Sequence, residues 1–300
     1  MNLAWVFLPA AVFWSSVVPM HGKLVVTGPL DRGPKCGYLT VDPRSRHSSF
    51  AKGACVRNRV RVVIDRHSQW WPVYVGKRLA FRYEDGSDTR PVSATGGGSL
   101  WLYDVLTKQG PQLLRYSLKT GRLQQRLRFP VRLFRPVIAA NDTGAWLMAA
   151  VNGGVSGQPT VALYHVTNRV TVVQRGPARA AMWMTTHGRT LWLETVAGTH
   201  TFKLWRYDGM HGRLLWTRHS PGLMNTVFGG GSSYGDGALW GVAAPYCAKT
   251  VRVLRIDAAT GALHTVAREP LLDCNQYGAG AFYGGSFWFV DGNKLFRVRG

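Results

Sequence analysis

The stretch GGGSLWLYDV, residues 96–105, joins a glycine-rich turn to an apolar run that contains a tryptophan. Four later stretches repeat this order: DTGAWLMAAV (142–151), HGRTLWLETV (187–196), GDGALWGVAA (235–244) and GGSFWFVDG (284–292). The intervals between their tryptophans are 45, 46, 48 and 48 residues. A nearly constant period of this length indicates a repeat architecture.

Each period contains about four short strands. A short apolar run such as PVIAA (136–140) precedes the tryptophan strand, and two strands joined by a tight turn follow it. These later strands are seen in LLRYSLKTGRLQQRLRFP (113–130) and VLRIDAATGALHTVAREP (253–270). Four strands in ~45 residues, repeated without a long helical pattern, predict an all-β chain folded as β-propeller blades.

The number of blades follows from the length of the repeating region. Residues 21–300 divided by a period of about 46 give six blades, and seven if the irregular stretch 56–90 counts as one more. The last repeat ends at KLFRVRG (294–300), before its outermost strand. We expect the N-terminal segment to supply that strand and close the ring, which removes exposed sheet edges. A single propeller domain over 23–300 is predicted.

The hairpin LWRYDGMHGRLLW (204–216) has tryptophans on both sides of a polar turn. We expect Trp205 and Trp216 to fill the wedge between neighbouring blades, because large aromatic side chains supply much buried area. In the same hairpin, Asp208, Gly212 and Trp216 resemble the tryptophan-docking repeat of the PQQ-like propellers. The G-x-LW and R-x-D patterns also resemble the streptogramin-lyase-like and YVTN-type propellers.

This resemblance covers roughly residues 90–300 and, more weakly, 37–90. It implies the fold, whereas function varies widely among proteins with such repeats. PQQ-dependent dehydrogenases have a larger propeller and usually a vicinal disulfide, and the chain has neither, so no cofactor is predicted. The streptogramin lyases combine acid and base residues with a magnesium ion, and none of those residues can be matched to a position here.

The N-terminal segment and the cysteines predict an extracytoplasmic protein. Residues 1–22 are uncharged and form an export signal or anchor-like segment, with an inner propeller strand as the alternative. Four cysteines without C-x-x-C spacing favour two disulfides over a zinc site. The predicted strand order places the pairs Cys36–Cys55 and Cys247–Cys274 in neighbouring loops, with four buried free thiols as the alternative.

The charge of the chain is strongly positive. Lysine and arginine number 37 against 15 acidic residues, which gives a formal net charge of +22. Such a charge attracts polyanions. No strongly basic run of 5–8 residues marks a nucleic-acid patch, so nucleic acid is the weaker partner, and a basic composition without any polyanionic partner is the simpler alternative.

The predicted binding face lies on the long loops. These connect the second strand of a blade to the third, and the fourth strand to the first strand of the next blade. Arg90, Arg135 and Arg179 precede the first strands of three successive blades, and Tyr277 has this place in the last one. Convergent guanidinium groups would bind a carboxylate, phosphate or sulfate. The alternative is local pairing, as Asp88 could provide for Arg90.

Motifs of catalysis and metal binding are missing from the sequence. It has no H-E-x-x-H, G-x-S-x-G, P-loop or EF-hand pattern and no two histidines at metal-ligand spacing. Catalytic residues, metal ligands and cofactors are therefore not predicted. The predicted function is a monomeric, non-enzymatic binding scaffold for a protein or an anionic envelope polymer, with membrane contact only through the N-terminal segment. The alternative is a metal-dependent lyase or hydrolase resembling streptogramin lyase.

Overall fold

A computed structural model describes most of the chain. The described residues are 4–8, 16–30, 35–54, 56–57, 60–62, 70–84, 92–104, 110–130, 133–151, 160–177, 180–196, 201–222, 233–244, 249–272 and 277–299. All the regular elements within these ranges are β-strands, which confirms the predicted all-β class. Over the same ranges, no helix has the length and apolar character needed to cross a membrane.

The described strands form seven antiparallel sheets of four strands. The first strand, β1 (Ala4–Phe7), belongs to the last of these sheets. Sheet 1 contains β2 (Ser16–Met20), β3 (Lys23–Pro29), β4 (Lys35–Val41) and β5 (Ser48–Ala54). Sheet 2 contains β6 (Val56–Arg57), β7 (Val60–Val62), β8 (Trp70–Val75) and β9 (Arg78–Glu84). Sheet 3 contains β10 (Val92–Gly96), β11 (Ser99–Asp104), β12 (Gln112–Ser117) and β13 (Leu123–Arg128).

The remaining four sheets follow the same plan. Sheet 4 contains β14 (Phe134–Asn141), β15 (Gly144–Val151), β16 (Thr160–Val166) and β17 (Val170–Pro177). Sheet 5 contains β18 (Ala180–His187), β19 (Thr190–Val196), β20 (Phe202–Asp208) and β21 (Leu214–Ser220). Sheet 6 contains β22 (Ser233–Gly235), β23 (Ala238–Ala243), β24 (Thr250–Asp257) and β25 (Leu263–Pro270). Sheet 7 contains β26 (Tyr277–Tyr283), β27 (Ser286–Asp291), β28 (Lys294–Arg299) and β1.

The chain divides into two compact units. Unit 1 comprises Met1–Cys55 and Pro221–Gly300 and contains sheets 1, 6 and 7, whereas unit 2 comprises Val56–Ser220 and contains sheets 2 to 5. Within unit 2 the first strands β10, β14 and β18 are neighbours, and within unit 1 the neighbours are β22, β26 and β2. Apolar clusters fill the space between successive sheets of each unit. This stacking of four-stranded sheets is typical of propeller blades.

A buried tryptophan and a basic side chain of the neighbouring strand recur together. The five periodic tryptophans lie on the second strands of sheets 3 to 7 and are at most 4% exposed. Each is opposite a basic residue of the third strand: Arg115, His165, Arg206, Arg255 and Arg297. Three of these arginines place their guanidinium carbon 5.1–5.5 Å from the centre of the indole. The period seen in the sequence therefore marks a core position, and in three of the five sheets it also marks a cross-strand cation–π contact.

The tryptophans of the 204–216 hairpin have different roles. Trp205 packs in the apolar cluster between sheets 4 and 5, as predicted for a wedge residue. Trp216 makes an edge-to-face contact with Trp192 of its own sheet, with 5.4 Å between ring centres. The turn itself makes the close approach to sheet 4, because a Cβ on Gly212 would lie 2.8 Å from Val173.

The N-terminal strand completes the last sheet. β1 pairs with β28 from Ala4 opposite Arg297 to Phe7 opposite Lys294, as the incomplete last repeat predicted. The main chain continues the pairing, since the Leu8 N–H donates to the Asn293 carbonyl at 2.8 Å. Leu8 is buried in the cluster between sheets 1 and 7. Residues 1–22, for which the sequence predicts an export segment, thus contain two strands paired within sheets, β1 and β2.

Deleting residues 2–8 should destabilise the protein by about 2 kcal/mol or more, because it removes the partner strand of β28 and the buried Leu8 side chain. Urea unfolding monitored by tryptophan fluorescence measures the loss. Deleting only Asn2 and Leu3, which precede β1, is the matched control. An unchanged unfolding midpoint after the longer deletion would show that β1 adds nothing to sheet 7.

His165 should make stability depend on pH. Its imidazole stacks on Trp146 with ring centres 3.9 Å apart, and burial lowers the pKa of this histidine below its ordinary value of 6.5. As the pH falls through 6.5, the unfolded chain takes up a proton that the folded chain does not, so the free energy of unfolding should fall. Urea titrations at pH 7.5 and 5.5 should show a smaller fall for His165→Phe than for the wild type. Equal falls would exclude this role, and His264→Gln, an exposed site, is the control.

Candidate functional site

The predicted arginine site lies outside what the structure describes. Arg90 and Arg179 are outside the described residues, as are the side chains of Arg135 in β14 and Tyr277 in β26. The anion site formed by these four residues stays a prediction. The long-loop segments 105–109, 152–159, 223–232 and 273–276 are also outside the described ranges.

The cysteine pairs stay predictions for the same reason. Cys36 is buried in β4, opposite Gly53 of β5. Cys55, Cys247 and Cys274 are outside the described residues. No cysteine within the described ranges is a free thiol.

A cavity of about 630 Å³ lies between sheets 3 and 4. It is at the end of the sheets where the hairpin turns lie, away from the long loops on which the sequence predicts binding. Polar side chains form most of its wall, from Gln124 and Gln125 on β13 to Asn141, Thr143 and Asn168 in the turns of sheet 4. Among the described residues, no group of three or more histidine, cysteine or acidic side chains could hold a metal ion.

Arg115 is held rigidly at the wall of this cavity. Its guanidinium carbon lies 5.1 Å from the centre of the Trp101 ring, and its Nε donates to Ser99 Oγ at 2.8 Å. The Ser99 hydroxyl lies 3.3 Å from Gln124 Oε1 and can donate to it. Sheet 7 repeats the arrangement, with Arg297 over Trp288 at 5.2 Å and its Nε 3.0 Å from Ser286 Oγ. A serine two residues before the tryptophan therefore orients the arginine in both sheets.

Asn141 fixes the opposite wall of the cavity. Its buried Nδ2 donates to the carbonyls of Gly188 and Gly209 in sheet 5, each at 3.3 Å. Its Oδ1 accepts from the Thr143 main-chain N–H at 2.9 Å. Residues 141–143 form a glycosylation sequon, but the amide nitrogen that a glycan would modify is buried and donates to two carbonyls. Asn141 is thus a structural residue that ties the turn of sheet 4 to sheet 5.

A second feature is a row of exposed basic side chains on the fourth strands, here called the outer basic row. Four members pair, through the third strand, with the residue three positions after the periodic tryptophan of the second strand, and in sheet 1, which has no such tryptophan, Lys52 pairs in the same way with Gly28. The row consists of Lys52 and Arg268 in unit 1 and of Arg128, Arg175 and His219 in unit 2. Strands β5, β13, β17 and β21 contain no acidic residue. Their exposed faces are therefore positively charged.

Several acidic side chains are engaged in the hairpin turns instead. Asp42 accepts from the main-chain N–H groups of Arg44 and Ser45, and Asp257 accepts from that of Thr260. These hydrogen bonds lower the pKa of both carboxyls. Asp208 pairs with His211 Nδ1 at 2.8 Å, and this contact likewise lowers its pKa. These three acidic side chains are thus held within hairpin turns, which also contain basic residues such as Lys119 and Arg213.

The comparisons with known proteins show the fold alone. The chain matches no family profile and no curated protein. It is similar to the structure of the uncharacterised protein lmo1340 of Listeria monocytogenes, with 8% identity, a TM-score of 0.53 and coverage of 98% of this chain and 95% of that one. The structure of Sqt1 of Saccharomyces cerevisiae is 11% identical to the chain, with a TM-score of 0.50 and coverage of 98% of this chain and 98% of that one. A chain of a mitotic checkpoint complex is 10% identical, with a TM-score of 0.55 and coverage of 99% of this chain and 91% of that one.

These similarities extend over nearly the whole chain. Together with the stacked four-stranded sheets they fit the predicted β-propeller. The PQQ-like and YVTN-type repeats stay a resemblance of the sequence.

Replacing Asn141 with alanine should lower the free energy of unfolding by about 1–2 kcal/mol, because the buried Asn141 side chain loses its two hydrogen bonds to the carbonyls of Gly188 and Gly209. Urea denaturation measures this loss. Asn168→Ala, at an exposed site in the next turn of the same sheet, should change stability little. If the two variants were equally stable, Asn141 would not tie sheet 4 to sheet 5.

Proposed function

We propose that this protein is an extracytoplasmic, non-enzymatic β-propeller scaffold that binds an anionic polymer along its outer strands. The seven sheets would be seven blades, the last completed by β1. The observation that carries the proposal is the outer basic row, in which five sheets present an exposed basic residue at the same register.

A repeated charge suits a repeated ligand. Within unit 2, the basic side chains at one register on the successive sheets 3 to 5 can each contact one anionic group of a polymer, and release of counterions then drives binding. The net charge of +22 adds long-range attraction. The row also lies towards the long loops, the face on which the sequence predicts binding.

The proposed location rests on the cysteines. An even number without metal-ligand spacing suits two disulfides in an oxidising compartment. An anionic envelope polymer is the partner that fits both this location and the charge of the outer strands.

The proposal can be tested with a charge-matched pair of variants. The first replaces Lys52, Arg128, Arg175 and Arg268 of the row with glutamine. The second replaces Lys119, Arg122, Arg169 and Arg213, which are equally exposed but lie in or beside the hairpin turns. Both lose one lysine and three arginines, so their net charges are identical.

The row variant should bind heparin about 10-fold more weakly, and the slope of log K against log salt should become shallower by about 3. The turn variant should resemble the wild type. Equal weakening of both variants would mean that only net charge attracts the polymer, and would refute the row. Single-stranded DNA in the same titration tests the other polyanion, and tighter binding of DNA than of heparin would argue against an envelope polymer.

A further inference from the structure

The cavity between sheets 3 and 4 has the size of a small-molecule site. Its volume of about 630 Å³ lies within the ~300–1,000 Å³ of such sites. Its lining residues belong to unit 2, from strands β10 to β13 of sheet 3 and from the turns and adjoining strand ends of sheet 4. The outer basic row does not contribute to it.

The wall of the cavity is suited to a ligand rich in hydroxyl groups. Gln124, Gln125 and Asn168 supply amides, and Thr143 and Thr167 supply hydroxyls. These groups both donate and accept hydrogen bonds, as a saccharide hydroxyl does. Trp101 is only 2% exposed and its ring is covered by Arg115, so the recognition relies on hydrogen bonds and not on stacking against the indole.

Arg115 adds a fixed positive group. Trp101 packs against one face of its guanidinium, and Ser99 accepts a hydrogen bond from its Nε. Its terminal Nη groups donate to no protein atom in the described part of the chain. A guanidinium oriented in this way offers two parallel N–H groups to a planar anion at little entropic cost. A carboxylate is the matching partner.

The charge balance of the cavity favours an anion with a single charge. Asp142 lines the cavity, is exposed, and forms no ion pair with Arg115 within the described residues. One fixed positive and one negative group give a neutral lining, which disfavours a dianion such as a sugar phosphate. We infer that this cavity binds an acidic saccharide, with Arg115 on the sugar carboxylate and the amides and hydroxyls of the wall on its hydroxyls.

Calorimetric titration with a glucuronate-containing tetrasaccharide tests the inference. The wild type should bind it saturably, and the same tetrasaccharide with its carboxylates reduced to alcohols should bind about 10-fold more weakly or not at all. Arg115→Gln should weaken binding of the acidic form by about 10-fold or more. Arg297→Gln is the matched control, because it removes the same Trp–Arg–Ser arrangement from sheet 7, away from the cavity.

A second variant avoids the risk that Arg115→Gln misfolds. Asn168→Asp adds a negative charge at an exposed lining position and keeps the acceptor for the Thr167 hydroxyl, 3.1 Å away. It should weaken binding of the acidic tetrasaccharide several-fold more than it weakens binding of the reduced form. The four-residue row variant should bind the tetrasaccharide as the wild type does, so a failed polymer proposal leaves this test intact.

Three results would overturn the inference. One is the absence of saturable binding by the wild type at millimolar tetrasaccharide. Another is equal weakening by Arg115→Gln and Arg297→Gln, which would trace the effect to stability. The third is tighter binding of glucose 6-phosphate than of glucuronate, each tested as a single sugar, because it would show that the cavity prefers a dianion to a carboxylate.

Discussion

The stacking of a basic side chain on the buried tryptophan of the neighbouring strand is the contact on which the sheets depend. The indole fills the space between sheets, and the third strand covers its face with a guanidinium or an imidazole, as Arg206 does for Trp192 and His165 for Trp146. The ring face gives the guanidinium groups an electrostatic partner inside the sheet, which offsets part of their desolvation cost, whereas the His165 imidazole stacks on Trp146 as an aromatic ring. Sheets 1 and 2 have no tryptophan on their second strands, β3 and β7, and their repeats are correspondingly irregular in sequence.

The arginines of this chain occupy two distinct environments. Arg115 and Arg297 are partly buried and oriented by a serine and an indole, so their positions are fixed before any ligand arrives. Arg128 and Arg175 are exposed on outer strands and contribute charge without fixed geometry. The first kind suits shape-specific recognition of a small group. The second suits salt-dependent attraction of a long polymer.

The fold could be predicted because the tryptophans occupy core positions, which recur once in each sheet. The role of β1 could be predicted because the last repeat ends one strand early. The number of sheets was harder to predict, since the second strand of sheet 2, β7, has no tryptophan, and Trp70 and Trp71 of the stretch 56–90 lie on the third strand, β8. The cavity could not be predicted. It forms where Gly96 of sheet 3 approaches the main chain of Ala140 in sheet 4, a contact between residues 44 positions apart. A usable signal was nevertheless present, since serine stands two residues before tryptophan only at Ser99 and Ser286 among the five periodic stretches.

The pairing of β1 with β28 joins residues that are far apart in the sequence, since Ala4 is opposite Arg297. At ~5–20 residues per second, synthesis of the chain takes about 15–60 s, and during this time the segment Ala4–Phe7 has no partner strand. Sheet 7 can therefore be completed only after β28 has been synthesised. Until then the apolar segment Ala4–Phe7 is accessible to chaperones.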